Sequence, residues 1–296
     1  MATKPSAVVA PLIIVTGSTG TIGRELVRLL ASAGAATRAI YRDADKAPLL
    51  APVERLRADL ANAAQREAAL AGASRLFLLT GNDPDFETVQ LAVVAAAARL
   101  GVQHLVKLSA LGASDHSRSS IGRAHWVVEQ AIQQTRILWT ILRPHAFMQN
   151  WLGDVAETVQ RESTIYSPIG DGRVPFIDTR DIAAVAAEVL LHPEAHARKK
   201  YVLTGGTAVG YADLAAALTA VTGRTINYRP ISMAEARARL EARGVAPATI
   251  EATLAIAEYQ RNGGPTGVVS PTVERLLGRP PRSIHDFVQD HAAAFR

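Results

Sequence analysis

The stretch Ile13–Gly23, IIVTGSTGTIG, runs from an apolar strand-like run into glycines at 17, 20 and 23. Each glycine has a physical reason in such a turn. Gly17 permits a sharp change from strand to helix, Gly20 lets the backbone approach a ligand, and Gly23 lets the new helix pack closely on the strand. The exposed amides of Gly17-Ser18-Thr19-Gly20-Thr21-Ile22-Gly23, at the positive end of the following helix, suit a pyrophosphate. Such a pattern carries weight only between a strand and a helix within a first βαβ unit, and that is its setting here.

The rest of the chain repeats that rhythm. Short apolar runs at Leu12–Thr16, Thr37–Tyr41, near Leu56, at Arg75–Thr80, His104–Ser109 and Leu138–Leu142 are separated by helical stretches at Thr21–Ala33, Phe86–Leu100 and Ala124–Gln134. Strands of this kind are buried on both faces, so the expected fold class is α/β, a doubly wound parallel sheet of the Rossmann type. We place the dinucleotide-binding domain at 1–155. Residues 156–296 form a mixed region that returns to the sheet near 178–204 (helix Asp178–Leu191, strand Lys200–Thr204) and supplies a smaller, mostly helical substrate lobe. A charged helix over Ser232–Arg243 opens with a capping box, Ser232 to Glu235, and stops at Gly244.

Composition narrows the class. With 296 residues, 48% hydrophobic and 20% charged, the chain can bury a full core. It has no cysteine, which excludes disulfides, thiolate metal sites and a cysteine nucleophile; no metal is expected. The net charge of +5 is scattered, and the densest basic cluster, Arg198–Lys200, is too short for a nucleic-acid tract. No run approaches the roughly 18 apolar residues of a membrane span, so a cytoplasmic protein with no membrane or nucleic-acid partner is expected.

The second strand ends at Tyr41-Arg42-Asp43, about twenty residues beyond the glycines, where dinucleotide folds read the adenosine ribose. Arg42, with Lys46 behind it, suits a 2′-phosphate, which favours NADPH over NADH. A shift of one residue would instead offer the Asp43 carboxylate to the ribose hydroxyls.

Taken together, GSTGTIG at 17–23, AIYRDADK at 39–46, ADL at 58–60, LVKLSALGA at 105–113, HWVVE at 125–129, TILRPHAFMQN at 140–150, YVLTGG at 201–206 and PRSIHDFVQDHAAAF at 281–295 resemble the NmrA-like atypical short-chain dehydrogenases. This group includes NADPH-dependent triphenylmethane-dye and quinone reductases as well as cofactor-binding regulators. The resemblance implies that Asp59 and Leu60 lie beside the adenine and that Leu79, Thr80 and Gly81 follow the cofactor. It further implies that Lys107 sits near the nicotinamide ribose. The loop from Pro144 and His145 through Phe147 and Met148 to Asn150 would wrap the nicotinamide, with Phe147, Met148 and Asn150 bordering the substrate. Each side chain also has a plainer reading: Asp59 as a helix cap, Lys107 as a snorkelling strand residue, Phe147 and Met148 as core.

Ketone-reducing members use a serine, a tyrosine about twelve residues on, and a lysine four further. The tyrosine protonates the developing alkoxide. Here Ser109 is present, but the tyrosine position falls on Ile121 and the lysine position on His125. Ser109 and His125 are therefore the catalytic candidates. His125 is a titratable side chain with the alternative of simple packing. Asp178, Arg180 and Asp181 fit helix capping and dipole compensation. The expected activity is hydride transfer from NADPH to a small electron-poor acceptor such as a quinone or dye, without the tyrosine–lysine relay. The alternative is a non-catalytic NADP(H)-binding redox sensor.

Overall fold

The computed structural model describes residues 10–43, 45 and 52–296. Its strands are β1 (Ile13–Val15), β2 (Thr37–Tyr41), β3 (Glu54–Arg57), β4 (Arg75–Leu78), β5 (His104–Leu108), β6 (Leu138–Pro144), β7 (Thr164–Ser167), β8 (Lys199–Leu203) and β9 (Asn227–Pro230). Seven form one sheet in the order β3-β2-β1-β4-β5-β6-β8, and β7 pairs with β9 in a second. The pairings from β3 across to β6 are parallel, as in Val15 opposite Ala39 on one side and Phe77 on the other. The sequence reason is plain at the centre: every residue of β1 and β5 is buried, whereas Glu54 and Arg55 of the edge strand β3 are exposed. Strand order reverses between β1 and β4, and a crevice at such a switch point is where doubly wound sheets bind ligands.

The chain forms two compact units and crosses between them repeatedly. One comprises residues 1–108, 127–142 and 186–200; the other comprises 109–126, 143–185 and 201–296. The expected boundary at 155 lies inside the second unit, in helix Asp154–Glu162. The first unit packs helices Ala63–Leu70 and Phe86–Arg99 on the sheet through Leu70, Leu76, Val93 and Leu105. The second centres on Trp151, whose ring meets Phe176 at 4.7 Å and Phe287 at 5.6 Å between centroids. Helices dominate its C-terminal region.

Three local expectations need correction. The helix placed at Ala124–Gln134 runs Ser120–Gln133, because the Ser119 carbonyl accepts the Arg123 amide and winds the polar SIGR segment into the first turn. At the helix Met233–Ala242, Ser232 caps the Glu235 amide, but the Glu235 side chain turns to Arg229 at 3.4 Å and does not complete the box. Asp178 does cap its helix, accepting from the Arg180 amide at 2.8 Å; Asp181, buried, is instead gripped by Arg279 and Arg282.

Among the described residues, no helix is long and apolar enough to cross a membrane.

Candidate functional site

The glycine turn is built to close tolerance. Gly17 has φ +63°, and a Cβ there would sit 2.8 Å from the Leu79 carbonyl oxygen. A Cβ on Gly23 would lie 2.1 Å from the Gly17 carbonyl oxygen, so the helix Thr21–Ser32 can touch the turn only through a glycine. Gly20 is different: its Cβ would meet nothing nearer than 3.5 Å. Thr16 clamps the turn to the end of β4. Its hydroxyl lies 2.8 Å from the Leu79 carbonyl and accepts the Leu79 amide at 2.9 Å. The Ser18 hydroxyl is buried and donates to the Ile40 carbonyl at 2.6 Å, and Ile22 is core, so these residues offer a ligand their backbone amides. Thr19 is half-buried, and Thr21 is exposed. No side chain caps this helix and no carboxylate occupies its first turn. Its positive end thus faces outward uncompensated, which fits a pyrophosphate.

At the end of β2, Arg42 is exposed and pairs with Asp83 at 3.2 Å. The Asp43 carboxylate, also exposed, accepts the Asp45 amide at 3.1 Å. Lys46 lies outside the described residues. After β3, exposed Asp59 accepts the Ala61 amide at 3.0 Å, while Leu60 is buried in the core. The cap of the next helix is Asn62, not Asp59.

Beyond β4, Leu79 and Thr80 are half-buried and Gly81 exposed. A residue without a sequence signal supports this turn. Gln90, buried on helix Phe86–Arg99, donates to the Thr80 hydroxyl at 2.7 Å, and that hydroxyl donates to the Gly81 carbonyl at 3.1 Å. In β5, Lys107 is completely buried, its amine donating to the Leu108 carbonyl. Burial pulls its pKa down to about 7, against the opposing pull of Glu129. Glu129 is equally buried and pairs with Lys200 at 3.4 Å.

In the second unit, Ser109 and His125 are both buried. Ile121, half-buried, precedes His125 by four residues in helix Ser120–Gln133, so the two share one helical face. Buried Pro144 ends β6. The ring of His145 is fully committed. Its Nδ1 accepts the Ala146 amide at 2.7 Å, so the proton sits on Nε2, which donates to the Thr266 carbonyl at 3.0 Å. Burial holds its pKa below the ordinary histidine value. Phe147 is half-buried, bridges Ile177, and leads to exposed Asn150. Met148 packs in the core around Trp151, and half-buried Gln149 is tied to Asp178 and the Thr179 amide, whereas Phe147 is half-buried and Asn150 exposed.

With this geometry in hand, the family model described as "NmrA-like family" matches residues 10–278. The chain belongs to the NmrA-like family. It is 36% identical over 286 residues to an NAD(P)H azoreductase of Xenophilus azovorans, covering 96% of this chain and 99% of that one. Among solved structures it is similar to the triphenylmethane reductase of Citrobacter sp. complexed with NADP(H), at TM-score 0.84 and 27% identity over 94% of this chain and 99% of that chain. It is also similar to an NADPH-dependent quinone oxidoreductase of Escherichia coli complexed with NADPH, at TM-score 0.84 and 26% identity over the same shares.

Proposed function

We propose that this chain is an NAD(P)H-dependent reductase that favours NADPH and passes hydride to an electron-poor acceptor, such as a quinone, a triphenylmethane dye or an azo compound, without a tyrosine–lysine proton relay. The observation that carries the reading is the uncapped, carboxylate-free start of helix Thr21–Ser32 behind a turn that requires glycine at 17 and 23. The named relatives, an azoreductase and NADP(H)-bound dye and quinone reductases, support it.

The nicotinamide supplies hydride when bound, and the chain's own residues supply the rest. Amides of 17–23 bind the pyrophosphate, and Arg42 reads the 2′-phosphate, exchanging its surface partner Asp83 for the ligand. Asp59 and the Leu79–Gly81 turn take the adenosine side, with Gln90 stiffening Thr80. Lys107, buried with its amine on the Leu108 carbonyl, stands behind the nicotinamide ribose and fixes the end of β5 there. In the second unit, Ser109, His125, Phe147 and Asn150 border the acceptor. Ile121 carries no proton to give. A missing general acid costs about 10²–10⁴-fold for acceptors that need one, so the accepting centre must already be strongly electrophilic.

The test is NADPH consumption by the purified protein with a naphthoquinone, a triphenylmethane dye, an azo dye and a simple aliphatic ketone. A kcat/KM for the quinone or a dye about 10²-fold or more above that for the ketone is expected. Cofactor binding with no turnover on any acceptor would replace the reductase by a redox sensor.

A further inference from the structure

The second unit holds a cavity of about 690 Å³ that none of the residues discussed so far lines. Its walls are the turn Gly170–Arg173, the end of helix Pro247–Arg261 with Asn262 and Gly263, and Pro230 and Gly267. The closeness of the two turns is specified by sequence. A Cβ on Gly172 would stand 2.6 Å from the Gln260 carbonyl and 3.2 Å from the Arg261 Cα, so glycine is what lets the helix end settle on the turn. Gly170 is fixed from behind, since the Tyr228 hydroxyl donates to its carbonyl at 2.8 Å.

The charges in this cavity are unequally committed. Arg173 pairs with Asp213 at 3.0 Å, and that carboxylate also caps the Gly210 amide. The Arg261 side chain is exposed and, among the described residues, makes neither a hydrogen bond nor an ion pair; its Nε stands near Gly170. Asp171 is the one carboxylate among the lining residues, against two guanidiniums. The loop that follows Arg261 also carries Thr266, whose carbonyl accepts the His145 proton. Thr266 stands next to Gly267, a lining residue, so the loop that lines the cavity is hydrogen-bonded to His145, two residues before Phe147.

We infer that this cavity is a subsite for an anionic group on the acceptor, a sulfonate, phosphate or carboxylate, held principally by Arg261. A fork of guanidinium donors with no partner is the group that such planar or tetrahedral oxyanions engage in pairs of hydrogen bonds. The assignment rests on the reductase reading for its substrate, while the binding it describes can be measured without turnover.

The test compares a naphthoquinone with its sulfonate in the full-length protein and in Arg261→Ala and Arg261→Lys. Arg261→Ala is expected to lower the sulfonate-to-neutral ratio of kcat/KM by about tenfold or more. Arg261→Lys should recover part of it, and added salt should erode the wild-type ratio. A ratio unchanged in Arg261→Ala overturns the subsite and leaves the reductase standing. If neither quinone is reduced, calorimetry with the sulfonate decides: weaker binding to Arg261→Ala sustains the subsite although the reductase reading has failed, and equal binding overturns both.

Discussion

Gly20 and Gly23 are three residues apart in one turn, yet a methyl group would meet the Gly17 carbonyl oxygen at an ordinary 3.5 Å at the first and at 2.1 Å at the second. Gly20 also has φ −78° and ψ 170°, extended backbone that valine adopts readily. Gly20→Val should therefore unfold at close to the wild-type temperature and bind no NADPH by calorimetry, because its side chain fills the pyrophosphate's place. Gly23→Ala should do the reverse damage first, costing at least about 2 kcal/mol in urea unfolding through overpacking against backbone. A Gly20→Val protein that still binds NADPH would place the phosphate site elsewhere. At Arg42, a charge-assisted contact of about 1.5–3 kcal/mol means that Arg42→Ala should cut the NADPH-over-NADH preference roughly ten- to a hundredfold. An unchanged ratio of dissociation constants would assign the 2′-phosphate to another residue. The glycines and Arg42 were legible because each stands a fixed distance from a strand end. Asp83 and Gln90 were not, since they reach Arg42 and Thr80 from other elements and leave no mark in local spacing.

At the level of elements, β5 opens with a histidine where the pattern asks for an apolar residue, and the structure explains the exception. The Thr140 hydroxyl of β6 donates to the His196 carbonyl at 2.8 Å, so it can only accept from His104 Nε2 at 2.9 Å. The bare Nδ1 is buried and has no partner among the described residues. Burial, reinforced by Arg75, lowers the His104 pKa to about 4. Between about 4 and 6.5 the unfolded chain holds a proton that the folded chain refuses, so stability rises with pH across that window and falls as the solution is acidified. The span corresponds to about 3 kcal/mol. Urea unfolding over this range should show that slope, and His104→Gln should flatten it; an equal slope in both proteins would credit other groups. The buried strands of the main sheet were legible from apolar runs, whereas β7 and β9, short and partly exposed, left no such run and were not placed. The first turn of helix Ser120–Gln133 was hidden by its polar sequence, although that turn sets which face Ile121 and His125 share.

For the whole molecule, the informative fact is that the chain changes unit at 108, 126, 142, 185 and 200. The first unit takes residues 186–200 from far down the sequence, and it depends on them. Arg75 donates to the Leu190 carbonyl at 2.5 Å, Thr140 donates to His196, and the Arg198 amide donates to Trp139 at 2.7 Å. A fragment of residues 1–155 should consequently show no cooperative unfolding transition by circular dichroism, whereas a fragment that folded and bound NADPH would establish the first half as self-sufficient. A doubly wound fold was legible from strand and helix alternation; that the sheet finishes with β8 was legible only as a return near 178–204, since strand order depends on long-range pairing. The same arrangement has a consequence in time. On the ribosome, chain grows at about 5–20 residues per second, and β6 emerges well before its neighbour β8. For several seconds β6 presents an unpaired edge, the kind of surface to which other strands add themselves. The nascent protein is thus most exposed to misassembly, and most in need of a chaperone, in the interval before residue 203 leaves the exit tunnel.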